Sequence, residues 1–139
     1  MRANELIRQY QAKTITAREF IEGVWKEAHS RKVYDISNSF VYQVTMGGKN
    51  KTLWYGNEAA AQKEAAAFTI SRIEEIGKIK EEIAYHSMRC GELKKMCSAE
   101  MIEAQPAWFQ EWGILDRTIG RAESALAELS RGVRPEVLA

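Results

Sequence analysis

A chain of 139 residues is long enough to enclose a hydrophobic core without disulfides or a structural metal. Its 45% hydrophobic and 28% charged residues are typical of globular proteins, and no apolar stretch approaches the roughly 20 residues of a membrane span. The net charge of +1 demands no polyanionic partner, and residues 1–10 lack the apolar core of a signal peptide. We therefore expect one domain, 1–139, in the cytoplasm and without membrane contact.

Residues 1–35 read as a helical N-terminal part with two short helices. Apolar residues recur three and four positions apart, first around Leu6 and Tyr10 and again from Phe20 onwards. Between these stretches, Thr16 and Glu19 have the spacing of a capping box, in which each side chain accepts from the backbone N–H of the other residue. The second helix is therefore predicted to begin just after Thr16.

Residues 36–56 read as a two-stranded β-ribbon. Hydrophobic and polar residues alternate over 40–46, GGKN at 47–50 suits a hairpin turn, and 52–55 would form the return strand. The preceding segment, 31–39, mixes charges with turn-forming residues and is interpreted as a connection.

Residues 57–134 read as a long helical hairpin. Asn57 is a favourable N-cap for a first helix that extends to about residue 97. Pro106 suits the first position of a second helix, which Gly132 and Pro135 end. The polar segment 98–105 would connect the two.

Both long helices carry a hydrophobic heptad seam, which predicts that they pack against each other. Because the connection is short, we expect them to run antiparallel, with Cys90 opposite Leu115 and Arg89 facing Glu111. Lys80 and Lys94 would face acidic residues, and the small residues beside the seam, such as Gly77 and Gly120, predict close packing against that face. The seam residues are Ile76, Ile79, Ile83, His86, Cys90, Leu93 and Cys97 on the first helix, and Trp108, Trp112, Leu115, Ile119, Ala122, Leu126, Leu129 and Val133 on the second.

The predicted fold is thus α+β and mostly α. It consists of two short N-terminal helices, a two-stranded β-ribbon and a long antiparallel helical hairpin.

We expect neither catalysis nor a cofactor nor a bound metal. His86, Cys90 and Cys97 share one helical face, but a structural zinc site usually has four ligands and no fourth is evident. Because the three coincide with seam positions, core packing is the favoured interpretation. The sequence has no GxSxG, HExxH, phosphate-loop or GxGxxG motif, and the carboxylates at 81–82 alternate with lysines as on a solvated face.

Protein binding is the function that the sequence favours. Four large apolar residues within seven positions exceed what one narrow seam absorbs, and such clusters are frequent anchors of interfaces. They are Trp108, Phe109, Trp112 and Ile114. The alternative is that an N-terminal helix covers them. We predict a non-catalytic adaptor or inhibitor that binds another protein through the hairpin, and that forms a homodimer through its exposed flank.

DNA binding through the ribbon is the alternative function. Residues 1–56 hold nine basic and five acidic side chains, whereas 57–139 hold eleven and fourteen. A basic ribbon can enter a major groove, and the candidate residues are Arg31, Lys32, Lys49, Lys51 and Trp54.

The stretch 40–66, which contains VYQVTMGGKNKTLWYGNEAAAQKEAA, loosely resembles the strand–strand–helix arm-binding module of phage-type integrases, in which a Gly-Lys turn and a Glu-Ala helix start recur. No integrase catalytic region follows. This resemblance implies DNA binding, and it suggests an origin in a phage or another mobile element.

Overall fold

The computed structural model describes residues 2–27, 29–36, 39–46, 49–55, 58–95 and 106–138. Within the strands it describes the backbone and, of the side chains, that of Val44. Residues 47–48 of the turn predicted at 47–50, the cap at Asn57, Cys97 and the connection at 98–105 lie outside the described residues, whereas 49–50 belong to a strand. The protein is mostly helical. In chain order, its elements are α1 (Ala3–Gln11), α2 (Ala17–Val24), β1 (His29–Ile36), β2 (Ser39–Met46), β3 (Lys49–Tyr55), α3 (Glu58–Lys95), α4 (Pro106–Leu129) and α5 (Pro135–Leu138).

The prediction of a two-stranded ribbon is wrong. Within the described residues, three antiparallel strands form one sheet in the order β1-β2-β3. The segment interpreted as a connection instead contains most of β1, which pairs with β2 from His29 opposite Thr45 to Ile36 opposite Ser39. In a two-stranded ribbon, the backbone groups along one edge of β2 would have only water as hydrogen-bond partners. The additional strand, β1, pairs with this edge instead.

Two compact units divide the chain. Unit 1 comprises Met1–Glu74 and Leu129–Ala139, and unit 2 comprises Glu75–Glu128. Unit 1 contains most of the buried side chains, which are Ala3, Leu6, Phe20, Ile21, Val24, Trp25, Val44, Ala61, Ala65, Ala66, Thr69, Arg72, Val133 and Val137.

Helices α1 and α2 pack closely at the start of unit 1. The rings of Tyr10 and Phe20 stack with centroids 5.2 Å apart, and a Cβ at Gly23 would come within 3.1 Å of Leu6 Cδ2. The predicted capping box is confirmed, since the Glu19 N–H donates to Thr16 Oγ1 at 3.1 Å and the Thr16 N–H donates to Glu19 Oε1 at 3.3 Å. A satisfied helix N-terminus thus fixes where α2 begins.

The C-terminal segment closes unit 1 through backbone hydrogen bonds that no pattern in the sequence predicts. The Lys26 N–H donates to the Gly132 carbonyl, and the Arg134 N–H donates to the Val24 carbonyl at 3.1 Å. Between these bonds, Trp25 and Val133 form an antiparallel bridge. The prediction of Val133 as the last seam residue is therefore wrong, because α4 ends at Leu129. Gly132 has a φ of 82°, which glycine adopts without strain. After this turn, the short helix α5 buries Val137.

Unit 2 contains the second half of α3 and nearly all of α4. Its buried residues follow the predicted seam, because Ile76 and Leu93 are buried and the other described seam side chains are half-buried, whereas most positions between them are exposed. Arg89 Nε donates to Glu111 Oε1 at 3.0 Å, which confirms that these residues face each other. Helix α4 begins at Pro106, as predicted. These observations support a helical hairpin in unit 2.

Candidate protein-binding site

An aromatic pair lies near the start of α4. Pro106 needs no backbone donor in the first turn of a helix, so it suits this position. Three residues later, the Phe109 ring stacks on the Trp112 ring with centroids 6.0 Å apart and an interplanar angle of 20°. Trp112 is half-buried, whereas Phe109 is 43% exposed. The side chain of Trp108 lies outside the described residues. The pair therefore joins the seam to the protein surface.

An open groove extends from Phe109 along the outer face of α4. The groove is lined by Phe109, Gln110, Gly113, Ile114 and Arg117. Ile114 is 57% exposed, so the groove has an apolar wall on either side of Gly113. A Cβ built on Gly113 would meet only Arg117 Nη1, at 4.0 Å. Because glycine has no side chain, the backbone at Gly113 forms the floor of this groove.

Two walls of the groove, Phe109 and Ile114, were predicted from the sequence, and its other residues were not. Gln110, Gly113 and Arg117 were not among the candidate residues, although they follow the one-turn spacing that places residues on one helical face. This spacing is the feature of the sequence from which the three residues could have been predicted to lie together. Of the four candidates on α4, the structure brings Phe109 and Ile114 to the groove and Trp112 against Phe109.

The two flanks of the seam carry different charged groups. On one flank, Arg89 contacts Glu111 and also Glu92, whose Oε2 lies 3.3 Å from Arg89 Nη1. The hydrogen bond to Glu111 is the main reason that the pKa of Arg89 is raised above its ordinary value.

Cys90 is a seam residue whose thiol is affected by charged residues of the other flank. Burial is the main cause that raises the pKa of its thiol, and Asp116 raises it further, while Lys94 lowers it. Both charged groups therefore act on the same seam position. The thiol is half-buried and free.

His86 occupies the seam one turn before Cys90. Its Nε2 lies 3.6 Å from Glu82 Oε1, and its ring meets that of Tyr85 edge-on with centroids 5.4 Å apart. His86 Nδ1 is buried without a hydrogen-bond partner. In the part of the chain that the structure describes, no three potential ligand residues come together to hold a metal ion.

The predicted close packing against the small residues of the seam is absent within the described chain. An added Cβ at Gly77, Gly91 or Gly120 would meet nothing within 4 Å. These glycines thus open onto free space, and Tyr85 and Met88 on α3 are 62% and 59% exposed.

The five candidate DNA-binding residues do not share one face of the sheet. Their side chains lie outside the described residues, but the backbone register fixes their positions. Lys51 pairs with Val44, Lys49 with Met46 and Lys32 with Tyr42, which are even-numbered positions of β2. Arg31 pairs with Gln43 and Trp54 with Val41. Because alternate positions belong to opposite faces, the set is divided between two faces.

Comparisons with known proteins give no relative: no family model, no curated protein and no solved structure matches this chain. The described helices include none with the length and apolar character that crossing a membrane requires.

Proposed function

We propose that this protein binds another protein through the groove on α4. The observation that carries the proposal is the groove itself, in which exposed Phe109 and Ile114 flank the bare backbone of Gly113. Exposed apolar walls gain free energy when a partner removes them from water. Stacking on Trp112 holds the Phe109 ring in place, which lowers the entropy that binding must remove.

The groove indicates the chemistry of its partner. An apolar side chain of the partner would fill the space above Gly113, between the two walls. Arg117 lies at the edge with an exposed guanidinium, which favours a carboxylate beside that apolar side chain. Gln110 offers both a donor and an acceptor to the partner's backbone. The expected ligand is therefore a segment that presents an apolar residue next to an acidic one.

Site-specific photo-crosslinking tests this proposal. A photoreactive amino acid at Gln110 is expected to crosslink one partner protein in the native cell, and Ile114→Asp should abolish the crosslink. The matched control is Met88→Asp, which places the same charge at an equally exposed apolar position on α3 and should leave the crosslink intact. Equal loss with both variants, or equal retention with both, would contradict binding at the groove.

The charge distribution favours one alternative, DNA binding through the sheet. Residues 1–56 have a surplus of positive charge, and Lys49 and Lys51 belong to the same strand. If this alternative holds, affinity for duplex DNA falls steeply with salt, and Lys49→Glu with Lys51→Glu removes it. Ile114→Asp would then have no effect, so the same two sets of variants separate the functions.

We also propose that the protein acts without catalysis and in the cytoplasm, as an adaptor or inhibitor. The sequence supports the absence of catalysis by its lack of catalytic motifs. The origin in a phage or another mobile element rests on the small size of the chain, its lack of catalytic motifs and the loose resemblance of 40–66 to the integrase arm-binding module.

A further inference from the structure

The seam of unit 2 is incompletely covered. Ile76 and Leu93 are buried, but Ile83, Ile119 and Leu126 are only half-buried, although they occupy seam positions. In a coiled-coil packing, such residues normally insert between side chains of a facing helix and lose most of their contact with water. Two helices alone leave one side of each seam residue in contact with solvent. Unit 2 therefore has an apolar face that its own described chain does not cover.

Four charged residues border one flank of this face, which we call the charged flank. The other flank is marked by Arg89 on α3 and Glu111 on α4, which contact each other and each immediately precede a seam residue. Residues that immediately follow a seam residue must then lie on the opposite flank. The charged residues at these positions are lysines on α3 and acids on α4, and all of them are exposed: Lys80, Lys94, Asp116 and Glu123. The combined effect of Lys94 and Asp116 on Cys90 agrees with this placement.

We propose that the charged flank binds a second copy of this chain, so that two hairpins form a four-helix bundle. A two-fold axis parallel to the helices places α3 of each copy across α4 of the other, and the lysine row of one copy then meets the acidic row of its partner. With a perpendicular two-fold axis, α3 would meet α3, and Lys80 would approach Lys94 of the partner. Opposite charges stabilise the first arrangement and like charges destabilise the second. The sign pattern thus selects both the occupant and its orientation.

The size of the flank suits a stable dimer. Helix residues 76–95 extend roughly 30 Å, and two adjacent helices are about 20 Å wide, so the face projects on the order of 600 Å². The accessible area of a corrugated face exceeds its projection, which brings it close to the ~800 Å² per partner of standard interfaces.

The backbone of the charged flank also permits close approach. Gly77, Gly91 and Gly120 each precede a charged residue of the flank by three positions and so lie on the same side of their helix. Nothing in the described chain lies within 4 Å of a Cβ built at any of the three. A second copy can therefore approach the helix backbones without displacing a side chain of the first.

Phe109 and Gly113 of the groove also follow seam residues, so the groove adjoins the charged flank. Ile114 and Met88 do not follow seam residues, so the variants Ile114→Asp and Met88→Asp leave the four charged residues unchanged, and charge reversal tests the proposal separately. Sedimentation and light scattering of the full chain are expected to show a dimer at sub-millimolar concentration. The variant Lys80→Glu with Lys94→Glu, and separately the variant Asp116→Lys with Glu123→Lys, should each be monomeric, because like charges then line the whole flank. Mixed in equal amounts, the two variants should form a heterodimer.

A monomeric wild-type chain, charge-reversed variants that remain dimeric, or a mixture that remains monomeric would each overturn the proposal. Gly91→Gln with Gly120→Gln gives a second test that does not depend on charge. Both substitutions raise helix propensity and have open space in the single chain, so the fold is retained, as circular dichroism can verify. The added side chains are expected to weaken dimerisation at least tenfold. An unchanged dissociation constant would also overturn the proposal.

Discussion

Arg89 and Glu111 are 22 positions apart in the sequence and share a hydrogen bond of 3.0 Å between Nε and Oε1. Arg89 lies on α3 and Glu111 near the start of α4, so the bond ties the two helices of unit 2 together. Both side chains are substantially exposed, 41% and 45%. The pair therefore specifies which turns of the two helices face each other more than it adds to stability.

Removing this pair should have a small effect that depends on salt. In a double-mutant cycle with Arg89→Ala and Glu111→Ala, we expect a weakly favourable coupling in urea unfolding at low ionic strength. At molar salt the coupling should vanish, because solvent ions screen exposed charges. Glu92→Ala is the control, since Glu92 lies on α3 itself and its loss leaves the bond between the helices intact. A coupling that persists at high salt would contradict this account.

Leu93 should contribute more to stability than any exposed residue of unit 2. Its side chain is 2% exposed, so Leu93→Ala removes buried methyl groups and leaves a cavity. We expect the free energy of unfolding to fall by about 2–4 kcal/mol. Met88→Ala, at a position 59% exposed on the same helix, should change it by less than about 0.5 kcal/mol. Similar losses for both variants, measured by urea unfolding, would show that the seam is not the core of unit 2.

Lys13 is a strained residue whose replacement should stabilise the protein. Its φ is 60°, and the backbone around it ends α1 with two hydrogen bonds, from the Lys13 N–H to the Tyr10 carbonyl and from the Thr14 N–H to the Gln9 carbonyl. This is the Schellman arrangement, in which glycine is usual at the left-handed position. Lys13→Gly should raise the free energy of unfolding by about 1 kcal/mol.

The matched control for that substitution is Lys13→Ala. Alanine removes the same charge but keeps a Cβ in the left-handed region, so it should give no comparable gain. Equal stabilisation by both variants, measured by thermal unfolding, would assign the effect to the charge of Lys13 instead of its backbone conformation.

The thiol of Cys90 should react slowly at neutral pH. Its pKa is raised, chiefly by burial, so only a small fraction is thiolate. On a Cys97→Ser background, the rate of alkylation should rise with pH along a curve displaced above the ordinary thiol range. Asp116→Asn should lower the pKa of Cys90, and Lys94→Gln should raise it.

Because the two substitutions should shift that pKa in opposite directions, each serves as a control for the other. Shifts in the same direction would mean that Asp116 and Lys94 do not act on Cys90 as the structure indicates. The raised pKa also affects folding, because it favours the folded state below the ordinary thiol pKa. That contribution is lost as the pH rises through the raised pKa of the folded protein.

The elements of this fold that could be predicted from the sequence are those with a local, periodic pattern. Apolar spacings of three and four residues identified the seam, and the half-buried or buried state of its described members agrees with that pattern. The opposite charges of Arg89 and Glu111 identified two facing residues. These features depend only on helix geometry and on which residues avoid water.

The missed strand shows where that reasoning ends. Strand β1 contains charged residues in its first half, and its register with β2 shifts between Lys32 and Tyr34. Such an irregularity interrupts the alternation by which a strand is identified from sequence. The backbone of β1 finds its partners in β2, so its structure depends on a pairing that the local pattern does not reveal.

The groove was only partly predicted for a different reason. Hydrophobic patterns identify side chains that are present, whereas the groove depends on one that is missing, at Gly113. Arg117 and Gln110 also look like ordinary solvated residues in the sequence, and they gain significance only from their position beside Phe109 and Ile114.

The closure of unit 1 at its C-terminal segment has an evolutionary consequence. The pairing depends on main-chain atoms, which nearly every amino acid has. Val24 and Gly132 contribute carbonyl groups, and Lys26 and Arg134 contribute amide groups. Exposed residues of this segment, such as Arg134, can therefore be substituted without loss of the two hydrogen bonds. A single-residue deletion between 130 and 134 would instead misalign both hydrogen bonds at once. Homologues should therefore vary here by substitution and not by length.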